Sequence, residues 1–135
     1  MAKKKITLTK LKKKYWDLFS LMIKLTYSED GENTRCFTCD APLKIGTSNC
    51  QGGHYYTKKG YPALYFDRNN VRVQCYHCNI NLSGNTVIFG ERLLTEVGEE
   101  VMQDLALRRH NMVKRTQSDY NEMIANIKEE IETLK

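Results

Sequence analysis

Two Cys-x2-Cys pairs, Cys36-Phe37-Thr38-Cys39 and Cys75-Tyr76-His77-Cys78, are separated by the 35 residues from 40 to 74 in a chain of 135. Each pair presents two thiolates from one tight turn, and together they make the ligand set of a closed, structural, tetrahedral Zn2+ site. Such an ion is a staple rather than a catalyst, so any chemistry must lie between the knuckles and just after them. The fifth cysteine, Cys50, has no partner at knuckle spacing and is read as a bystander or as a competing ligand. An odd number of thiols suits a reducing compartment better than a disulfide framework, and the expected location is cytoplasmic.

A chain of this length makes one domain, or one domain with helical appendages, and its modest core gains from a metal staple. Hydrophobic residues at 41% and charged residues at 27% describe an ordinary soluble protein. No apolar run approaches the roughly 20 residues of a membrane span. The basic start, Met-Ala-Lys-Lys-Lys, leads into no apolar core with a cleavage site, so no export signal is expected. The net charge is +5, and seven of the first fourteen residues are lysine. That asymmetry suits a polyanion such as DNA, whose counterions are released on binding, or else a solvated tail.

Residues 1–9 read as frayed. From Lys10 to Tyr27, Leu11, Tyr15, Leu18, Met22 and Leu25 recur at steps of three and four, an apolar helical stripe widened by Trp16, Phe19 and Ile23. Ser28 to Thr34 is rich in turn formers, and Asp40-Ala41-Pro42-Leu43 reads as a second turn. A strand is expected around Gln51–Tyr56, then a loop with Lys58, Lys59 and Gly60, then a strand over Val71–Gln74 entering the second knuckle. A helix is expected over Asn79–Phe89, bent near Ser83-Gly84-Asn85, followed by short helices over Glu91–Val97 and Glu99–Arg109. The last helix starts near Thr116 or Ser118 and places Tyr120, Ile124, Ile127, Ile131 and Leu134 on one seam. That seam packs on the N-terminal helix or on a second subunit.

The block from 36 to 79 reads as a zinc-stapled nuclease centre. Cleaving a phosphodiester needs a base to activate water and a cation to offset charge on phosphorus and the leaving oxygen. A neutral imidazole is the most usable base at physiological pH, and His54 ends the first strand. Asn79 directly follows Cys78, and its carboxamide can anchor a Mg2+ or Mn2+ ion that keeps most of its waters. Asn70 bridges the loop between the strands and orients the imidazole or its backbone. His77 points to solvent, and His110 is a phosphate contact or a surface residue. Tyr55, Tyr56 and Tyr61 stack on unpaired bases or belong to the core.

Gly-His-Tyr (53–55), Leu-Tyr-Phe-Asp-Arg-Asn-Asn-Val (64–71), Gln-Cys-Tyr-His-Cys-Asn (74–79) and Ser-Gly-Asn (83–85) resemble the NinG (Rap) recombination proteins of lambdoid phages, with Tyr15-Trp16 upstream and Val-Gly-Glu-Glu-Val downstream. The centre itself resembles an HNH, or ββα-metal, nuclease of the HNN variety. The likeness implies a structure-selective endonuclease acting on Holliday junctions and D-loops in the bacterial host cytoplasm. By it, Cys36, Cys39, Cys75 and Cys78 hold zinc, His54 is the general base, Asn70 the orienter and Asn79 the catalytic metal ligand. Many such centres carry an aspartate just before the base; here that place is Gly53, which leaves Asn85 and Asp67 as candidate second ligands. Some NinG proteins carry a longer basic N-terminal region; set against that likeness, DNA affinity is expected here to fall to the lysines at 3–14.

The expectation is therefore an α+β fold with a small zinc-stapled ββα core flanked by N- and C-terminal helices. Residues 1–14 form a basic tail running into the first helix. Residues 15–135 form one nuclease domain, with its core at 36–90 and a helical region at 91–135. Lys12, Lys13, Lys58, Lys59, Arg68 and Arg72 are the expected DNA contacts. Branched or four-way DNA is the expected partner, a homodimer is possible because paired cuts need two centres, and no membrane is involved. The rival readings are a general HNH nicking or homing-type endonuclease on duplex DNA and a non-catalytic zinc module that binds nucleic acid.

Overall fold

The structure, a computed structural model, describes residues 7–135; of the start expected to be frayed, residues 1–6 with the lysines at 3–5 lie outside the described residues, whereas Leu8 and Thr9 are already helical. Helix α1 (Leu8–Thr26) begins where the Thr7 hydroxyl accepts from the Lys10 amide, and its stripe of Leu11, Tyr15, Phe19, Met22, Ile23 and Leu25 is buried. Helix α4 (Gln117–Leu134) opens with a capping box in which Thr116 and Asp119 satisfy each other's backbone amides. Its Tyr120, Ile124, Ile127 and Ile131 pack on α1, so the seam is filled within the chain, while Leu134 stays exposed at its end. Burial of such side chains contributes about 1.5–3 kcal/mol each, which makes the α1–α4 pair the main support of the core.

Two small antiparallel sheets carry the cysteines. Strands β1 (Asn33–Arg35) and β2 (Pro42–Lys44) form a hairpin with Thr34 opposite Leu43, and the first knuckle is its tip. Both segments were expected to be turns. Each strand is three residues long and buries one side chain, too short for an alternation to register. Strand β3 (Cys50–His54) pairs with β4 (Val71–Cys75) so that Cys50 faces Cys75 and His54 faces Val71. β3 ends two residues earlier than expected because Asn70 captures the backbone of Tyr56.

Glycines at 52 and 53 set how closely the neighbours approach β3. A methyl at Gly52 would stand 2.8 Å from Ser20 Oγ and 3.0 Å from the Trp16 ring, so α1 lies directly over the strand there. A methyl at Gly53 would stand 1.9 Å from Gln74 Oε1.

After β4 a single π-helical turn, His77–Asn81, carries the second knuckle. The helix expected over 79–89 is broken in two, since Ser83, Gly84 and Asn85 all take positive φ before α2 (Thr86–Val97) starts. Gly98, at φ 86°, separates α2 from α3 (Glu99–Arg108). Leu64, Phe89, Leu93 and Leu105 close a second, smaller core beneath these helices.

Two expected DNA contacts, Arg72 and Arg68, make ion pairs within the fold. Arg72 is 3% exposed; its Nε meets Glu96 Oε2 at 2.9 Å, and Nη1 donates to the carbonyls of Arg68 and Val71. Tyr27 donates to the same Glu96 carboxylate at 2.5 Å, so α1, β4 and α2 share one polar knot from which Arg72 has no reach to a phosphate. Arg68 grips Glu130 of α4 through both Nη atoms, holding the 67–69 turn to the last helix. Among the described residues no helix is long and apolar enough to cross a membrane.

Candidate active site and metal centre

The hairpin tip and the π-helical turn bring the Sγ atoms of Cys36, Cys39, Cys75 and Cys78 within 4.8 Å of one another. A regular tetrahedron with Zn–S bonds of about 2.3 Å has sulfur–sulfur edges of about 3.8 Å. Cys39 and Cys75 stand at 3.8 Å, so this donor set fits a zinc ion. Donors surround the sulfurs as a tetrathiolate site requires. The Cys78 amide reaches Cys75 Sγ at 3.4 Å, Thr38 Oγ1 lies 3.4 Å from Cys36 Sγ, and Asn85 Nδ2 lies 3.8 Å from Cys78 Sγ. Burial pushes the Cys36 thiol up, but the Thr38 hydroxyl and nearby amides outweigh it and bring it down to about 6, toward the thiolate that zinc binds. Arg92 of α2 clamps this knuckle with a two-pronged contact to Asp40 at 2.9 Å and a bond to the Phe37 carbonyl. Cys50 stays outside the cluster despite facing Cys75, and burial pushes its thiol up, away from ligand chemistry.

Beside the cluster, α1, β3 and the π-helical turn enclose a cleft of about 760 Å³. His54 and Asn79 both line it. His54 Nε2 lies 2.9 Å from the Tyr65 carbonyl oxygen. A carbonyl only accepts, so Nε2 carries the hydrogen and Nδ1 holds the lone pair. Trp16 stacks on the ring at 4.8 Å and 25°, fixing its plane. Burial lowers the His54 pKa to about 4, against the pull of the Tyr65 carbonyl and with help from the Lys58 charge. The imidazole is therefore neutral at pH 7.

Asn79 is oriented by a comparable relay. Its Nδ2 donates to Gln51 Oε1 at 2.9 Å, and Gln51 in turn donates to the Ser48 carbonyl at 3.0 Å. With its amide nitrogen so engaged, Asn79 keeps Oδ1 as an oxygen donor.

Of the two ways Asn70 was expected to orient the centre, through the imidazole or through its backbone, its hydrogen bonds follow the second. It is fully buried; Oδ1 accepts from the Tyr56 amide at 2.7 Å, while Nδ2 donates to the carbonyls of Tyr56 and Leu64. It locks the 55–65 loop, and the loop's far end presents the Tyr65 carbonyl to His54. Its influence is thus on the backbone that holds the ring.

Neither proposed second ligand reaches the cleft. Asn85 is turned toward Cys78, and Asp67 pairs with Arg108 at 2.8 Å. Lys58 lines the cleft and Lys59 is exposed nearby. Lys12 lies over the Tyr65 ring at 4.6 Å, and Lys13 pairs with Asp17 on the surface of α1. Tyr55 packs on Phe89, Tyr56 on Tyr55, and Tyr61 on Tyr56 and His110, an aromatic run rooted in the second core. His77 is exposed, with Nδ1 3.3 Å from Asn81. Trp16, Gln51 and Tyr65 were not singled out as site residues. Trp16 was read as widening the α1 stripe, and Trp16 and Tyr65 fall in stretches that carry the family resemblance, but neither signal assigned them to the site.

These features define a small mixed α+β protein organised round a four-cysteine cluster suited to a metal ion, with a histidine-bearing cleft against it. The family model described as Bacteriophage Lambda NinG protein matches residues 1–135, and the chain belongs to this family. It is 27% identical over 104 residues to protein NinG of Escherichia phage 933W, covering 77% of this chain and 51% of that relative. With protein NinG of Escherichia phage lambda the identity is 26% over 104 residues, covering 77% and 50%. With that of Enterobacteria phage H19B it is 31% over 74 residues, covering 55% and 37%. The chain thus spans about half the length of the curated relatives it matches, or less. No solved structure matches.

Proposed function

We propose that this chain is an HNH-type endonuclease, dependent on Mg2+ or Mn2+, that cuts branched DNA such as four-way junctions. The observation that carries this reading is that His54 and Asn79 line one cleft, each held by hydrogen bonds that leave an acceptor atom unengaged. The antiparallel β3–β4 pair followed by the helical knuckle turn supports the reading, since such a centre follows a ββα order. In this reading residues 15–135 act as one nuclease domain, with the lysine-rich start adding affinity for DNA, in the cytoplasm of the phage's bacterial host.

His54 Nδ1 accepts the proton of the attacking water. The Tyr65 carbonyl and the Trp16 ring keep the imidazole from turning, which secures its tautomer and aim. A pKa of about 4 leaves the base unprotonated when substrate arrives. An entering phosphate anion then raises its proton affinity toward the working range, because opposite charge favours imidazolium. Lys24 and Lys58 line the cleft and draw the phosphate in. A divalent ion held through Asn79 Oδ1, phosphate and water would offset the charge that builds on phosphorus and the leaving oxygen. Two copies on one junction would place a centre at each of the paired cuts.

The test is a cleavage assay with zinc-loaded protein on a labelled four-way junction and on a linear duplex of the same sequence. The junction is cut preferentially with Mg2+ or Mn2+, and His54→Ala abolishes cutting while junction affinity stays within about twofold. Cleavage by His54→Ala at near wild-type rate would reject the assigned base. Equal cutting of both DNAs would reject selectivity for branches, and no cut strand under any divalent ion would leave a zinc-containing binding module.

A further inference from the structure

We infer that Asp17, on helix α1, supplies the carboxylate that binds the divalent ion in the cleft. The inference rests on the nuclease reading above and adds a ligand from outside the knuckle region. Mg2+ and Mn2+ are hard ions that seek anionic oxygen, commonly one or two carboxylates together with phosphate and water. Among the described residues that line the cleft, Asp17 alone carries a carboxylate. The place beside the base is closed to one, since any Cβ at Gly53 would collide with buried Gln74 at 1.9 Å. Asp67 is committed to Arg108.

Helix α1 is anchored at this point. Trp16 stacks on His54, and Trp16, Asp17, Ser20 and Lys24 fall on the helix face that forms the cleft wall. Asp17 pairs with Lys13 at 3.3 Å one turn earlier, with both side chains largely exposed. Water screens such a pair, and an ion displaces it readily. The donor set is then the Asp17 carboxylate and Asn79 Oδ1, with phosphate and waters completing the shell. These oxygen donors suit Mg2+ or Mn2+, and the soft thiolate cluster suits zinc, so the two metals are sorted by ligand chemistry. The N-terminal helix becomes part of the active site rather than a brace behind it.

The experiment is a Mn2+ titration followed by electron paramagnetic resonance, on full-length, zinc-loaded protein, for wild type, Asp17→Asn and the control Glu129→Gln. Circular dichroism confirms that each variant is folded. Wild type and Glu129→Gln bind one Mn2+ alike, while Asp17→Asn binds it at least tenfold more weakly and loses Mg2+-supported junction cleavage. Mn2+ affinity of Asp17→Asn within twofold of wild type, or no Mn2+ bound by wild type, overturns the assignment. If wild type cuts junctions and Asp17→Asn cuts them equally well, this inference fails and the nuclease reading stands. If Mn2+ binding depends on Asp17 but nothing is cut, the ligand assignment stands and the nuclease reading fails.

Discussion

Replacing Gly53 with alanine tests whether the close crossing of β3 and Gln74 holds the centre together. The added methyl would lie 1.9 Å from Gln74 Oε1, 2.6 Å from Cδ and 2.9 Å from Cγ, so no small rotation of the amide clears it. Gln74 must leave, and it is fully buried. Its Nε2 donates to the Gly84 carbonyl at 2.8 Å and to Thr38 Oγ1 at 3.1 Å, joining the cleft rim to the first knuckle. A buried polar group deprived of its partner costs about 1–3 kcal/mol, so the two bonds put the loss at about 2–6 kcal/mol. In a domain stable by about 5–15 kcal/mol that is a large share, and the melting temperature should fall by on the order of 10 °C. The assay is thermal and urea unfolding of zinc-loaded protein by circular dichroism. Gln74→Ala alone should also destabilise, and the double variant should lose less than the sum, with coupling of at least about 1 kcal/mol. Gln74 Oε1 has no hydrogen-bond partner and faces the Gly53 backbone, so the steric conflict is the whole of that interaction. A Gly53→Ala protein melting within about 2 °C of wild type would refute the reasoning.

Two further outcomes follow from the same centre. The ring resonances of His54, followed by NMR, should titrate near pH 4 rather than near the ordinary 6.5. Because the folded value is the lower one, the unfolded chain binds a proton first as pH falls, so stability is full above about pH 6.5 and is lost toward pH 4, by up to about 3 kcal/mol. His54→Ala should remove that part of the acid sensitivity, and a titration midpoint near 6.5 would contradict the burial argument. Stripping zinc with a strong chelator should abolish cooperative unfolding and the near-ultraviolet signal of Trp16, since the knuckles hold both sheets in register. Retention of the native signal in metal-free protein would show that the cysteines are not a folding staple.

Much of the framework was legible in the residues. The stripe of α1, the N-cap of α4 at Thr116 and the two strands leading to His54 and Cys75 arise from local periodicity and turn chemistry, and each lies within a residue or two of where that logic puts it. The four cysteines converge because each knuckle is a local turn whose sulfurs already point together. The β1–β2 hairpin was invisible, since strands of three residues carry no period. Arg72 and Arg68 read as free cations because nothing in their neighbourhood announces Glu96 and Glu130, which arrive from 24 and 62 residues away.

What the chain determines by itself is its set of helices, its thiolate knuckles and the presence of one buried-strand histidine. Spacing along the backbone is enough for these, because they depend on neighbours a few residues apart. Only the tertiary structure decided that Trp16 covers His54, that Gln51 aims Asn79, that Gln74 closes position 53 and that Asp17 reaches the cleft. Those pairings join segments whose separation in sequence bears no relation to their distance in space, and packing alone sets which side chains meet.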